Sequence, residues 1–363
     1  MVAIPDLPDN RAYGERHMSG IQMIYFAPGA VVHEIRAKHQ IIANGHFDLV
    51  HSFCVGLRSI LAMRLIRHCG PPPIVVYDWD ELMTAHRMKP GHVRLKNRLV
   101  QMYALQTGDG FTAASTFLHD YIRARGRKAR SNVLLLPNGF DPIIDTRIED
   151  SAAREVVKND NAEQKLLYVG AISREYQVWE LLDLAERIRS AKLKWKIFIA
   201  GEGPDRDEFA RLCRERGLEG HISLLVWIPG ETIACVLRVA SILVFSFPPT
   251  LQNVARCPLK IYQYAASGVP IVTNRVGEVA RALGDSGHYY APGDAADMLA
   301  ACRRASGTTH RMLSAGELEA LTWEARGVHY AAWLKSIMVR RSDVLSAANP
   351  KVPKTNISAR ADD

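Results

Sequence analysis

Short apolar runs recur along the chain and alternate with segments of helical length. The first half reads IQMIYF and a helical stretch through Ala43, then DLVHSF and GLRSILAMRLIRHC, then PIVVYD, GFTAAS and NVLLLP. Around 141–163 the pattern turns polar and charged, which predicts a linker. The rhythm restarts with KLLYVG, a helix over VWELLDLAERIRSA, WKIFIAG, a helix over RDEFARLCRERG, ISLLVWI, SILVFSF, a helix over LKIYQYAASG, and PIVTN. Strands alternating with helices build parallel sheets covered on both faces. Two such series predict an α/β chain of two doubly wound domains facing a cleft, with ligands at the carboxyl ends of the strands. The expected boundaries are 1–145 and 164–310, joined by a linker over 146–163. Helices over 311–340 cross back to the first domain, and the tail 341–363, without periodicity, is expected to be disordered.

Composition narrows the class. The length of 363 residues suits two domains. No apolar run approaches the roughly 18 residues needed to span a bilayer, and the opening MVAIPDLPDN has neither the basic nor the apolar part of an export signal. A cytoplasmic protein is expected. The six cysteines form no CxxC pair, so neither a disulfide framework nor a zinc site is expected.

The net charge of +8 is modest, but it is concentrated. Between Leu82 and Arg130 stand ten basic residues (Arg87, Lys89, Arg94, Lys96, Arg98, Arg123, Arg125, Arg127, Lys128 and Arg130) against Asp109 and Asp120. Such a segment suits an anionic membrane surface or substrate, or is simply a solvated face. Interleaved aromatics and nucleic-acid reader motifs are missing from it, so nucleic acid is not an expected partner.

Several pieces carry candidate chemistry. GEGP (Gly201–Pro204) follows a strand and opens a helix, where glycines allow close backbone turns around a phosphate. In LKIYQYAASGVP, Lys260 and Gln263 fall near a helix start, and Gly268 and Pro270 end it. These pieces, with LLYVGAISRE, IFIAGEGPDRDEF, CPLKIYQYAASGVPIVTNRVGEVARAL and YYAPGDAADM, resemble in order and spacing the nucleotide-sugar domain of glycosyltransferase family 4, the group 1 glycosyltransferases. DLVHSF, PIVVYDWDEL, FTAASTFLHDYI and LLLPNGFDP resemble its acceptor domain, and TWEARGVHYAAWL its returning helix. The resemblance covers about Ile21 to Ile337.

That resemblance implies the GT-B fold and transfer of a sugar from a nucleotide-diphosphate donor to a glycan, lipid-linked or small-molecule acceptor. It also implies retention of configuration, no metal, and no cofactor beyond the donor itself. Donor binding falls to Gly170, Arg174, Gly201, Gly203, Trp227, Lys260 and Gln263, and the catalytic positions to His51 and Asp80. The basic segment suits peripheral attachment at the inner membrane face, in a chain devoted to polysaccharide synthesis.

The chain departs from that family's pattern. Ala255 and Gln263 stand where an acidic pair is usual, Ala171 and Tyr176 where a cationic pair is usual, and Asp80 where a His is usual. Arg174 is the expected substitute for the lost cations. A carboxylate beside a diphosphate repels it unless protonated or paired, so Asp80 cannot inherit the role of a His. The first domain is also expected to lack its first strand and helix, since the chain starts near the end of the usual second strand. These losses keep open a second reading, a non-catalytic glycosyltransferase-like binding protein or accessory subunit.

Overall fold

The computed structural model describes residues 2–3, 14–18, 21–25, 31–53, 55–66, 73–85, 90–126, 132–140, 152–225, 228, 230–309 and 314–348. The chain divides into two compact units. The first comprises Met1–Ala113, Leu118–Leu135 and Leu334–Asp363; the second comprises Ala114–Phe117 and Leu136–Trp333.

In the first unit, β1 (Val2–Ala3), β2 (Gly14–Met18) and β3 (Ile21–Tyr25) form a small sheet of order β1-β3-β2 with an antiparallel β2–β3 pair. A second, parallel sheet has the order β4-β5-β6-β7, from β4 (Leu49–Ser52), β5 (Ile74–Trp79), β6 (Gly110–Ala113) and β7 (Val133–Leu135). Among the described residues no ladder joins the two sheets. Helices α1 (Val31–Asn44), α2 (Leu57–Ile66), α3 (Gly91–Thr107) and α4 (Thr116–Arg125) connect these strands. β5 is apolar on both faces save for Asp78, as a strand covered on both sides must be.

In the second unit, a helix α5 (Ala152–Asn159) precedes β8 (Gln164–Val169). It occupies the segment expected to be a linker, because Ala153 and Val157, four apart, are buried in that unit's core. Then follow α6 (Glu180–Ser190), β9 (Trp195–Ala200), α7 (Arg206–Glu215), β10 (Ile222–Leu225), α8 (Ile233–Leu237), β11 (Ile242–Phe245), α9 (Leu251–Ala255), α10 (Leu259–Ser267), β12 (Ile271–Thr273), α11 (Gly277–Leu283), β13 (His288–Tyr289), α12 (Ala295–Ser306) and α13 (Ala315–Ala320).

The six strands run parallel in the order β10-β9-β8-β11-β12-β13. α6 shows why these segments are helices. Leu181, Leu182, Leu184, Ala185 and Ile188 make one buried stripe, and Glu180 with Asp183 at its start and Arg187 with Arg189 at its end complement the helix dipole. α10 ends on Gly268 in the left-handed conformation (φ 74°), the predicted stop.

The closing helix α14 (Trp323–Ala348) continues past the expected limit at residue 340. Its last turns hold Val344, Leu345, Ala347 and Ala348, and no proline interrupts it before Pro350. Residues 349–363 lie outside the described ones. No described helix is long and apolar enough to cross a membrane.

Candidate functional site

In the second unit β8 and β11, its first and fourth strands, lie side by side, and there the chain reverses its direction of travel across the sheet. Such switch points receive ligands at the strands' carboxyl ends. α10 is docked to this place by Tyr264, whose hydroxyl accepts a hydrogen bond from the Val169 N–H at 2.9 Å. One turn earlier, Lys260 therefore projects between the two strands. Its ammonium is 4.8 Å from the Tyr168 ring on β8 and 4.9 Å from the Phe245 ring on β11. A Cβ at position 170 would collide with it, so Gly170 is the residue that leaves room for this cation. Burial, and then the neighbouring Arg256, pull the Lys260 ammonium down from 10.5 to about 7.

Arg256, the residue after α9, is the second cation. Its guanidinium stands 5.1 Å from both the Tyr176 and Phe247 rings, and its buried Nε has no hydrogen-bond acceptor. Among the described residues neither Arg256 nor Lys260 meets a carboxylate. Aromatic faces compensate a cation only in part, so neither charge is fully balanced by them. The start of α10 adds to this, because its N-cap is Pro258 and no side chain caps its first amides.

The floor beneath the cations is rigidly held. Phe247 donates its backbone N–H to Asn274 Oδ1 at 2.7 Å, and Asn274 Nδ2 donates to the Tyr290 carbonyl at 3.0 Å. Glu180 accepts from the Ser246 hydroxyl at 2.8 Å and the Tyr290 hydroxyl at 2.7 Å.

The other expected donor residues fall as follows. Gly201 and Gly203 press the β9 loop against the β8 loop, since a Cβ at either position would strike the carbonyl of Gly170 or of Ile172. Arg174 is engaged elsewhere: it is exposed, ion-paired to Glu208 on α7, and 5.3 Å from the Trp179 ring. Its backbone N–H donates to Asp205 at 2.8 Å. The cation whose charge acts on Lys260 is Arg256. Gln263, half-buried three residues beyond Lys260, makes no side-chain hydrogen bond among the described residues. Trp227 lies outside the described residues. The signal for Arg256 was present in the sequence as a base immediately before the Cys257-Pro258 turn, next to the Ala255 that replaces an acid.

In the first unit His51 lies within β4, its ring 4.3 Å from that of Phe53, and burial pushes it down to about 4, so it is neutral at pH 7. Asp80 is exposed just beyond β5. The perturbed carboxyl is its neighbour Asp78. Burial first, and the charge of Asp80 as well, raise Asp78 to about 6 even though the Thr112 hydroxyl donates to it. Asp78, Trp79, Asp80, Glu81 and Gln101 line a cavity of ≈ 10 Å³, room for about one water. The Trp79 indole N–H and both polar atoms of the Gln101 amide are buried there without a partner. An Asp inside the run IVVYDW was the signal for this cavity. The described groups of His, Cys, Asp and Glu form no metal-holding cluster, and the described cysteines Cys213, Cys235, Cys257 and Cys302 are free thiols.

The arrangement defines a GT-B fold, and residues 163–307, which hold every element of the cation site, match the family model for group 1 glycosyl transferases. Among curated proteins the chain is similar to glycogen synthase of Mycobacterium tuberculosis, 25% identical over 256 residues that make up 66% of this chain and 57% of that protein. The chain thus spans less than two thirds of that relative's length. Among solved structures it superposes on sucrose-phosphate synthase from Thermosynechococcus elongatus with a TM-score of 0.71 at 16% identity, covering 94% of this chain and 89% of the other. It also superposes on Anabaena Alr3699/HepE in complex with UDP-glucose with a TM-score of 0.65 at 17% identity, covering 87% and 86%.

Proposed function

We propose that the protein transfers a sugar from a nucleoside-diphosphate sugar to a hydroxyl of a glycan, lipid-linked or small-molecule acceptor, with retention of configuration. The observation that carries this reading is the pair Lys260 and Arg256, two cations without carboxylate partners at the switch point of the second unit. As the glycosidic bond breaks, negative charge develops on the leaving diphosphate. Preorganised cations and the free amides of α10 would meet that charge without further reorganisation. In this reading charge neutralisation falls to side chains and amides rather than to a metal. Gln263, one turn beyond Lys260, is assigned the role of accepting from a ribose hydroxyl, and Arg174 that of pairing with Glu208. HepE holds UDP-glucose, which supports a uridine diphosphate sugar as the first donor to test. The first unit is assigned the acceptor, with the exposed Asp80 as a hydroxyl-binding group and His51, neutral at pH 7, as a further polar group there.

The test is calorimetric titration with a panel of nucleoside diphosphates and their sugars, repeated on Lys260→Ala and Arg256→Ala. Binding of one nucleotide that both variants weaken supports the assignment. No binding by any nucleotide, or binding that neither variant alters, overturns it. Ala255 and Gln263, at positions where acids are usual, favour one other reading, a binding protein without transferase activity. Donor binding with neither hydrolysis nor transfer over an acceptor panel would establish that reading.

A further inference from the structure

α3 carries two apolar faces. Val100, Ala104 and Leu105 are buried with Gln101 on the side packed into the first unit. On the opposite side Leu95 and Leu99 are each 59% exposed and Met102 is 52% exposed. At 100° per residue these three fall within roughly 60° of one another and about 180° from Ala104. They form one outward row about 10 Å long. The row is flanked by cations on both sides, with Arg94 and Arg98 on one and His92 and Lys96 on the other, all exposed. α3 contains no Asp or Glu, and among the described residues Arg94, Lys96 and Arg98 have no ion-pair partner.

Two features of this helix run against the stability of the isolated fold. An apolar row faces water, and the cations gather in its first half, where the helix dipole disfavours positive charge. Both are relieved by one environment, an apolar layer bounded by anionic groups. We propose that α3 is a docking surface for an anionic lipid bilayer, with Leu95, Leu99 and Met102 entering the headgroup–acyl boundary and Arg94, Lys96 and Arg98 held by lipid phosphates. A nucleic acid would engage the cations but gain nothing from leucines, and the row offers no aromatic for a base to stack on. The inference is independent of the donor reading, because α3 lies in the first unit and takes no part in the cation site of the second.

The experiment is co-sedimentation of the full chain with vesicles of phosphatidylcholine alone or with one third phosphatidylglycerol, at low and high salt. Binding is expected to the anionic vesicles only and to weaken with salt, since each basic residue at such a surface contributes about fivefold in affinity. L95S/L99S/M102S should weaken binding at least tenfold, and R94E/K96E/R98E should abolish it. Both variants should keep the wild-type thermal transition and UDP affinity, because all six side chains point outward. Equal binding to both kinds of vesicle, no binding to either, or undiminished binding by L95S/L99S/M102S would overturn the proposal. So would tighter binding to a single-stranded oligonucleotide than to the anionic vesicles.

Discussion

Lys260→Met replaces a flexible cation by a neutral side chain of similar length, and its two consequences should have opposite signs. In the free protein the ammonium is displaced from 10.5 to about 7. At about 1.4 kcal/mol for each factor of ten in proton affinity, this bounds the cost of holding the charge at about 5 kcal/mol. Relaxation around a buried charge reduces the penalty below that bound, and about 2 kcal/mol is the expected figure. Below pH 7 both folded and unfolded chains carry the proton and the cost is fully present. Between pH 7 and 10.5 the folded chain has shed a proton that the unfolded chain still holds, so wild-type stability rises with pH. Lys260→Met should therefore be more stable than wild type by about 2 kcal/mol at about pH 6, an advantage fading toward pH 10. Its affinity for UDP should meanwhile fall between 10- and 100-fold, the loss of a charge-assisted contact of about 1.5–3 kcal/mol. Urea unfolding at the two pH values and calorimetric titration with UDP measure both effects. A variant that is destabilised at both pH values and binds UDP unchanged would show that Lys260 is a packing residue, and the anion-site argument would fail.

Arg256→Ala should weaken UDP binding about tenfold with little loss of stability, since among the described residues its guanidinium meets only ring faces; unchanged affinity in the same titration would remove it from the site. Gln177 adopts φ 51°, a left-handed conformation that glycine tolerates, so Gln177→Gly should raise stability by roughly 0.5–1 kcal/mol in urea unfolding. Asp78 is raised from 3.8 to about 6, so between those values the folded chain keeps a proton that the unfolded chain has lost, and stability falls as pH rises. Asp78→Asn should lack that decline and be about 1 kcal/mol more stable than wild type at pH 7, measured by thermal unfolding across pH. Gln263→Glu should preserve or tighten donor binding if this residue meets the ribose, and a tenfold loss would place it elsewhere.

The strand and helix series of the second unit could be read from the sequence because its apolar runs are long and its turns carry Gly and Pro, as at Gly268 and Pro270. α5 was hidden because only Ala153 and Val157 mark its buried side within a strongly charged stretch. α14 outran its expected end because good helix formers continue to Ala348 without any apolar period to announce them. The placing of Lys260 and Gln263 near the start of one helix was legible, because spacing along a helix fixes neighbours on that helix; their expected role came from the resemblance. The roles of Arg256 and Asp78 depend on pairings between elements. Arg256 meets the rings of Tyr176 and Phe247, which other segments bring to it, and Asp78 is perturbed because burial excludes water and Asp80 adds its charge, with Thr112 of β6 opposite it. The pairing of Arg174 with Glu208 was hidden for the same reason, since Glu208 comes from a different helix.

Net charge along the chain locates bases without saying which of them are already satisfied, and that distinction carries the functional argument. Lys38 and Arg58 share Glu34 at 2.7 Å each, Lys196 meets Asp160 at 2.8 Å, and Arg216 meets Asp183 at 2.8 Å. These charges are settled inside the fold and ask for nothing from outside. Among the described residues Lys260 and Arg256 have no such partner, and neither do Arg94, Lys96 and Arg98 on α3. In the first pair two like charges are held close enough that Arg256 helps to lower the proton affinity of Lys260. Such a pair is destabilising until an anion arrives, and an anion of two charges would relieve both cations in one step.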